Sequence, residues 1–126
     1  MSRKTIAAVV VLVMAALAVA GSALGRTSKT PTLHGVVGPG YSIKLTLNGK
    51  KVTSLKAGSY RFSVTDKSSF HNFKVEREKG GKFEKQITKT AFTGSKSVVI
   101  ALKPGSWSYY CSVHEAQMHG DFKVKK

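Results

Sequence analysis

From Thr32 onward, apolar side chains recur at every second position, the period of a strand, and helical spacing is absent. Residues 41–47 alternate cleanly and put Tyr41, Ile43, Leu45 and Leu47 on one face. Asn48-Gly49 follows, a pair suited to a type I′ hairpin because both turn residues need positive φ. Residues 59–65 turn Tyr60, Phe62 and Val64 inward, with Arg61 and Ser63 outward. Residues 70–77 place His71, Phe73 and Val75 on one face. Gly80-Gly81 predicts a turn, residues 97–102 a short apolar strand, and Pro104-Gly105 another turn. Over 107–112, Trp107, Tyr109 and Cys111 share a face; over 120–125, Phe122 and Val124 point inward. Residues 114–118 break the alternation and read as the loop between the last two strands. Seven to eight short strands, separated by Gly, Pro, Asn and Ser turns, predict an all-β Greek-key sandwich.

The N-terminus follows a different pattern. Arg3 and Lys4 precede an uninterrupted apolar run over 6–20, and Ala18-Val19-Ala20 offers small residues at the spacing a signal peptidase needs. That is a secretory signal by pattern, with a second cut offered after Ala23-Leu24-Gly25. From Ile6 to Gly25 only Ser22 is polar, so a retained anchor helix of about 20 residues is the alternative. No Cys directly follows the run, and a lipid anchor is not expected. The predicted organisation is a signal or anchor over 1–25, a polar linker over 26–31 and one domain over 32–126. Either form of the N-terminus puts that domain in the periplasm, on the outer face of the cytoplasmic membrane, or outside the cell.

Charge narrows the partners. The chain carries 21 Lys and Arg against 6 Asp and Glu, a formal +15 at pH 7. Removing residues 1–20 takes away Arg3 and Lys4 and leaves a formal +13. Nucleic acid is the usual partner of a basic surface. Export argues against it here, and no zinc-finger, homeodomain or RNA-binding pattern is present. The lysines are spread along the chain, which suits a solvated face that attracts an acidic protein or an anionic membrane surface. Such a surface repels itself, and a monomer is expected.

Export also gives the single cysteine its meaning. Cys111 has no partner in the chain, which leaves an intermolecular bridge, a reactive thiol, a metal ligand or a small buried hydrophobe. Its neighbours favour the metal. His114 follows three residues on, Met118 four further, and His71-Asn72 stands upstream on a predicted strand. A thiolate, two imidazoles and a thioether select copper, because soft sulfur stabilises Cu(I) and imidazole accepts both oxidation states. Taken singly, His71 is a hydrogen-bonded strand histidine, and Met118, Trp107, Tyr109 and Phe122 are core residues. Their joint occurrence around one Cys is what points to a site. His34 lies outside both segments and is expected to be structural or exposed. Structural zinc also suits Cys and His, but it typically uses four firm N or S ligands.

The region from Thr32 to the C-terminus resembles a cupredoxin, the blue copper family of plastocyanin, pseudoazurin and amicyanin. Phe70-His71-Asn72-Phe73 carries the first part of the resemblance, and the C-x2-H-xn-M loop from Cys111 to Met118 the second. The approach from Lys103 to Cys111 and the closing segment from Gly120 to Val124 extend it over the whole domain. The resemblance implies one mononuclear type 1 copper ion cycling between Cu(II) and Cu(I). His71, Cys111 and His114 would be its equatorial ligands and Met118 the axial one. Asn72 would hydrogen-bond around the thiolate and pin the ligand loop.

One departure matters. The group usually places two or four residues between the second His and the Met, and this chain has three, Glu115, Ala116 and Gln117. Gln117 therefore stands where the short-loop pattern has Met, and Gln is itself a known axial ligand type. His119 lies next door as a third candidate. The implied function is one-electron transfer between redox proteins, with electrons leaving through His114 and no enzymatic chemistry. A periplasmic copper carrier or chaperone is the alternative, and it would need a more open, labile site. A copper oxidase would need a second copper site or a substrate pocket, for which His34 and His119 are too few.

Overall fold

The computed structural model describes residues 29–126. The signal or anchor expected over 1–25 lies outside the described residues, as does the first half of the linker. Pro31, at the linker's end, is already tied down, its carbonyl accepting the Arg61 N–H at 2.9 Å.

Two five-stranded sheets face each other. The first runs β3 (Lys50–Lys51), β2 (Ile43–Leu47), β1 (Thr32–Val37), β5 (Gly58–Asp66), β8 (Gly94–Leu102). The second runs β4 (Ser54–Lys56), β10 (His119–Lys125), β9 (Gly105–Tyr110), β6 (Phe73–Lys79), β7 (Phe83–Thr88). Both sheets are mixed, since β1 pairs parallel with β5 and β4 with β10 while the other neighbours are antiparallel. The all-β sandwich expected from the alternation is therefore present, with ten strands among the described residues rather than seven to eight. The three additions, β3, β4 and β7, are all sheet edges. An edge strand is held by backbone pairing along one side, so its side chains need no buried face and leave little alternation to read. In β7 only Ile87 and Thr88 are buried.

The Asn48-Gly49 hairpin forms as predicted: their φ values are 50° and 79°, and Leu47 pairs with Lys50. Tyr41 departs from expectation. It lies before β2 and is 65% exposed, because positive φ at Gly38 and Gly40 carries the chain away from the sheet there.

Leu33, Leu45, Phe62, Val64, Phe73 and Val75 fill the interior. The Phe73 and Tyr109 rings stack at 5.9 Å with an interplanar angle of 3°, directly joining β6 to β9. Trp107 packs on Phe122 and its Nε1–H donates to the Lys103 carbonyl at 2.8 Å. Tyr109 can lie flat only because its ladder partner is Gly120: a Cβ there would sit 2.2 Å from the Tyr109 ring. Gly120→Ala should therefore cost about 1–3 kcal/mol through overpacking, read from the denaturant midpoint. An unchanged midpoint would show that Tyr109 yields freely.

Candidate metal centre

β6 begins at Phe73, so His71 sits in the preceding loop rather than in a strand, yet it is only 4% exposed. Cys111 follows β9 directly and is fully buried. His114 is half-buried on the loop between β9 and β10. The structure brings these three together, with their donor atoms all within 4.8 Å of one another. His71 Nδ1 lies 3.7 Å from Cys111 Sγ and 3.1 Å from His114 Nδ1. Bonds of about 2.0–2.3 Å from one ion to N and S donors would separate neighbouring donors by roughly 3.3–3.8 Å. The cluster fits a single ion, with the two imidazoles slightly closer than that range.

The loop owes its shape to four backbone bonds. His114 N–H donates to the Cys111 carbonyl at 3.2 Å, and Gln117 and Met118 N–H both donate to the His114 carbonyl. Cys111 N–H donates to the Met118 carbonyl at 3.0 Å, which closes the loop onto the β9–β10 ladder. Strand parity then separates the three axial candidates. Met118 falls in register with Gly120, Phe122 and Val124 and is fully buried, while Gln117 and His119 are exposed. His119 Nδ1 is occupied at 2.9 Å by the Glu115 carbonyl. His34 is exposed on β1, away from the cluster's residues in the sheet order.

Asn72, 3% exposed, staples the two ligand segments. Its Oδ1 accepts the Ser112 N–H at 2.8 Å, and its Nδ2 donates to Ser112 Oγ at 2.8 Å. Its own backbone N–H points at Cys111 Sγ, 3.4 Å away. Ser112 is a partner that sequence reasoning missed; its place next to Cys111 was the available signal.

Tyr41 forms the outer wall. Its ring meets His114 edge-on at 4.9 Å and lies 5.6 Å from His71. It borders an open cleft of about 640 Å³ that Phe70, Lys67 and both imidazoles also line. On the other side of Cys111, Tyr110 donates its hydroxyl to Glu84 at 3.0 Å, and Lys74 ion-pairs with Glu84. Burial, then the Glu84 bond, push the Tyr110 phenol well above its ordinary range, so it stays a neutral donor.

Two facing mixed sheets with a His-Cys-His cluster at one end define a cupredoxin-like fold. Solved structures share it. A multicopper oxidase from Pediococcus acidilactici aligns with TM-score 0.55 at 13% identity, over 83% of this chain and 28% of that one. The copper protein rusticyanin aligns with TM-score 0.51 at 17% identity, over 77% of this chain and 80% of that one. Substituted rusticyanin gives 0.52 at 19% identity, over 77% and 79%. The chain thus spans little more than a quarter of the oxidase's length, and at these identities the likeness is one of fold. No protein-family model and no curated protein matches the sequence.

Proposed function

We propose that the domain is an exported one-electron carrier holding one copper ion between His71, Cys111, His114 and, axially, Met118. The observation that carries this reading is the convergence of two imidazole Nδ1 atoms on one buried thiol within a hydrogen-bonded frame. Copper held there supplies a one-electron couple between Cu(II) and Cu(I). The chain's own residues do the rest. The Asn72 staple and the closed 111–118 loop fix the donors, so little moves when the charge at the site changes. The stacked Phe73 and Tyr109 rings keep water from the buried side. His114, partly open to the cleft, is the route by which electrons leave. A chaperone that passes on the ion needs ligands that open in turn, which this frame opposes. Redox partners of acidic surface, or an anionic membrane, belong to the same reading through the formal +13.

The test is an absorption spectrum after one equivalent of Cu(II) is added. An intense visible thiolate-to-copper band is expected, and a colourless complex or no binding overturns the reading. The axial role has its own test. Met118→Gln puts a harder oxygen donor at the buried position and favours Cu(II). The ratio of Cu(II) to Cu(I) affinity should rise tenfold or more, about 59 mV of potential per factor of ten. Gln117→Ala should leave it nearly unchanged. The opposite ranking would transfer the axial role to Gln117.

A further inference from the structure

Asp66, the last residue of β5, is the buried carboxylate among the described residues, at 2% exposure. No Lys or Arg pairs with it there; the salt bridge of the described residues joins Lys74 to Glu84. A carboxylate held out of water without a cation is costly unless something compensates it.

Its partners show what it holds. Asp66 Oδ1 accepts the Ser68 N–H at 3.1 Å, and Ser68 Oγ accepts the Phe70 N–H at 3.2 Å. These two consecutive side-chain turns carry the chain from β5 to His71. At the far end of the same loop, Phe73 N–H donates to Thr88 Oγ1 at 3.0 Å. Thr88 is fully buried and lies beside Asp66. Its oxygen is engaged by Phe73, so its hydroxyl proton is free for the carboxylate. Asp66 Oδ2 is the atom that needs it, being buried with no hydrogen-bond partner of its own. Burial raises the Asp66 pKa, while the Ser68 N–H, Thr88 and the nearby His71 oppose that shift. One carboxylate thus touches the start of the His71 loop, stands beside the residue that holds its end, and lies within electrostatic reach of the imidazole.

We propose that Asp66 is a positioning residue for the metal centre: it clamps the His71 loop, and its charge favours the more positive state of a bound ion. This rests on the copper reading above. Loop clamping and charge leave different signatures. A loosened loop weakens both oxidation states alike, whereas a lost negative charge weakens Cu(II) selectively and raises the reduction potential.

The test compares the full chain with Asp66→Asn, which keeps shape and an acceptor for Ser68, and with Asp66→Ser, a smaller neutral variant should Asn misfold. Cu(II) and Cu(I) affinities are measured separately by chelator competition. A unit charge acting across about 10 Å at an effective dielectric of about 20 is worth roughly one factor of ten. The Cu(II) to Cu(I) affinity ratio should therefore fall about tenfold, a rise of about 59 mV. In the metal-free protein, Ser68 amide exchange should quicken in Asp66→Asn, because bonds to ionised acceptors are roughly twice as strong as neutral ones. An unchanged ratio removes the charge role, and unchanged Ser68 exchange removes the clamp. A wild-type chain that binds no copper overturns the copper reading instead, and this proposal with it.

Discussion

Cys111→Ser is expected to abolish the visible band while the domain stays folded. The band arises only from a sulfur-to-copper transition, and a serine oxygen has no equivalent at visible energies. The exchange also removes the soft donor that stabilises Cu(I) and leaves a hydroxyl that stays protonated at neutral pH, so affinity should collapse in the reduced state first. The fold should survive for a local reason. Cys111 is fully buried beside Met118 in the core cluster, where Ser is slightly smaller and nearly isosteric. The new hydroxyl also finds the Asn72 N–H, which already points at Sγ from 3.4 Å. A buried hydroxyl with a partner costs on the order of 1 kcal/mol or less. Visible absorption with one equivalent of Cu(II), beside far-ultraviolet circular dichroism, separates the two effects. A band of full intensity in the serine variant would end the assignment of Cys111. His71→Ala should weaken the band too, and added imidazole should partly restore it, since the missing donor is itself an imidazole.

Much of this centre could be read before the fold was known, for physical reasons that differ along the chain. The strands with one face in the core, such as β5 with Tyr60, Phe62 and Val64, announce themselves by alternation. The edge strands do not, because nothing buries Lys50-Lys51 or the first four residues of β7. Cys111, His114 and His71 were legible because ligand chemistry restricts residue type more sharply than packing does. The axial position was open by loop counting. Extending the inward parity of Phe122 and Val124 back through Gly120 would have separated buried Met118 from exposed Gln117 and His119. Asp66 continues the inward parity of Tyr60, Phe62 and Val64, so its face was legible; its hold on the His71 loop was not, because the turns there are set by hydrogen bonds rather than periodicity. Tyr41 misled for the opposite reason: a clean alternation ran past the true start of β2 into a glycine turn.

Electron exchange with a partner should depend strongly on salt, with a sign set by the partner's charge. The proposed mature chain is at formal +13, and its 6 acids offset little of that over the molecule as a whole. Asp66 is buried, Glu84 is paired with Lys74, and Glu76, Glu84 and Glu115 all act on Tyr110. Around His114 the exposed surface combines apolar Tyr41, Phe70 and Val113 with the acidic Glu115, and Lys67 lies on the same cleft. An acidic redox protein would be steered toward this chain from a distance and then seated on that apolar rim. Steering of this kind is worth about 10–10³ in association rate, and it fades as the Debye length shrinks from about 30 Å at 0.01 M to about 3 Å at 1 M. Stopped-flow rates with an acidic partner should therefore drop at least about tenfold across that range. With a basic partner they should rise, because screening removes a repulsion. Rates that ignore salt for both partners would reduce the lysines to a solubility coat and leave docking to Tyr41, Phe70 and Val113 alone.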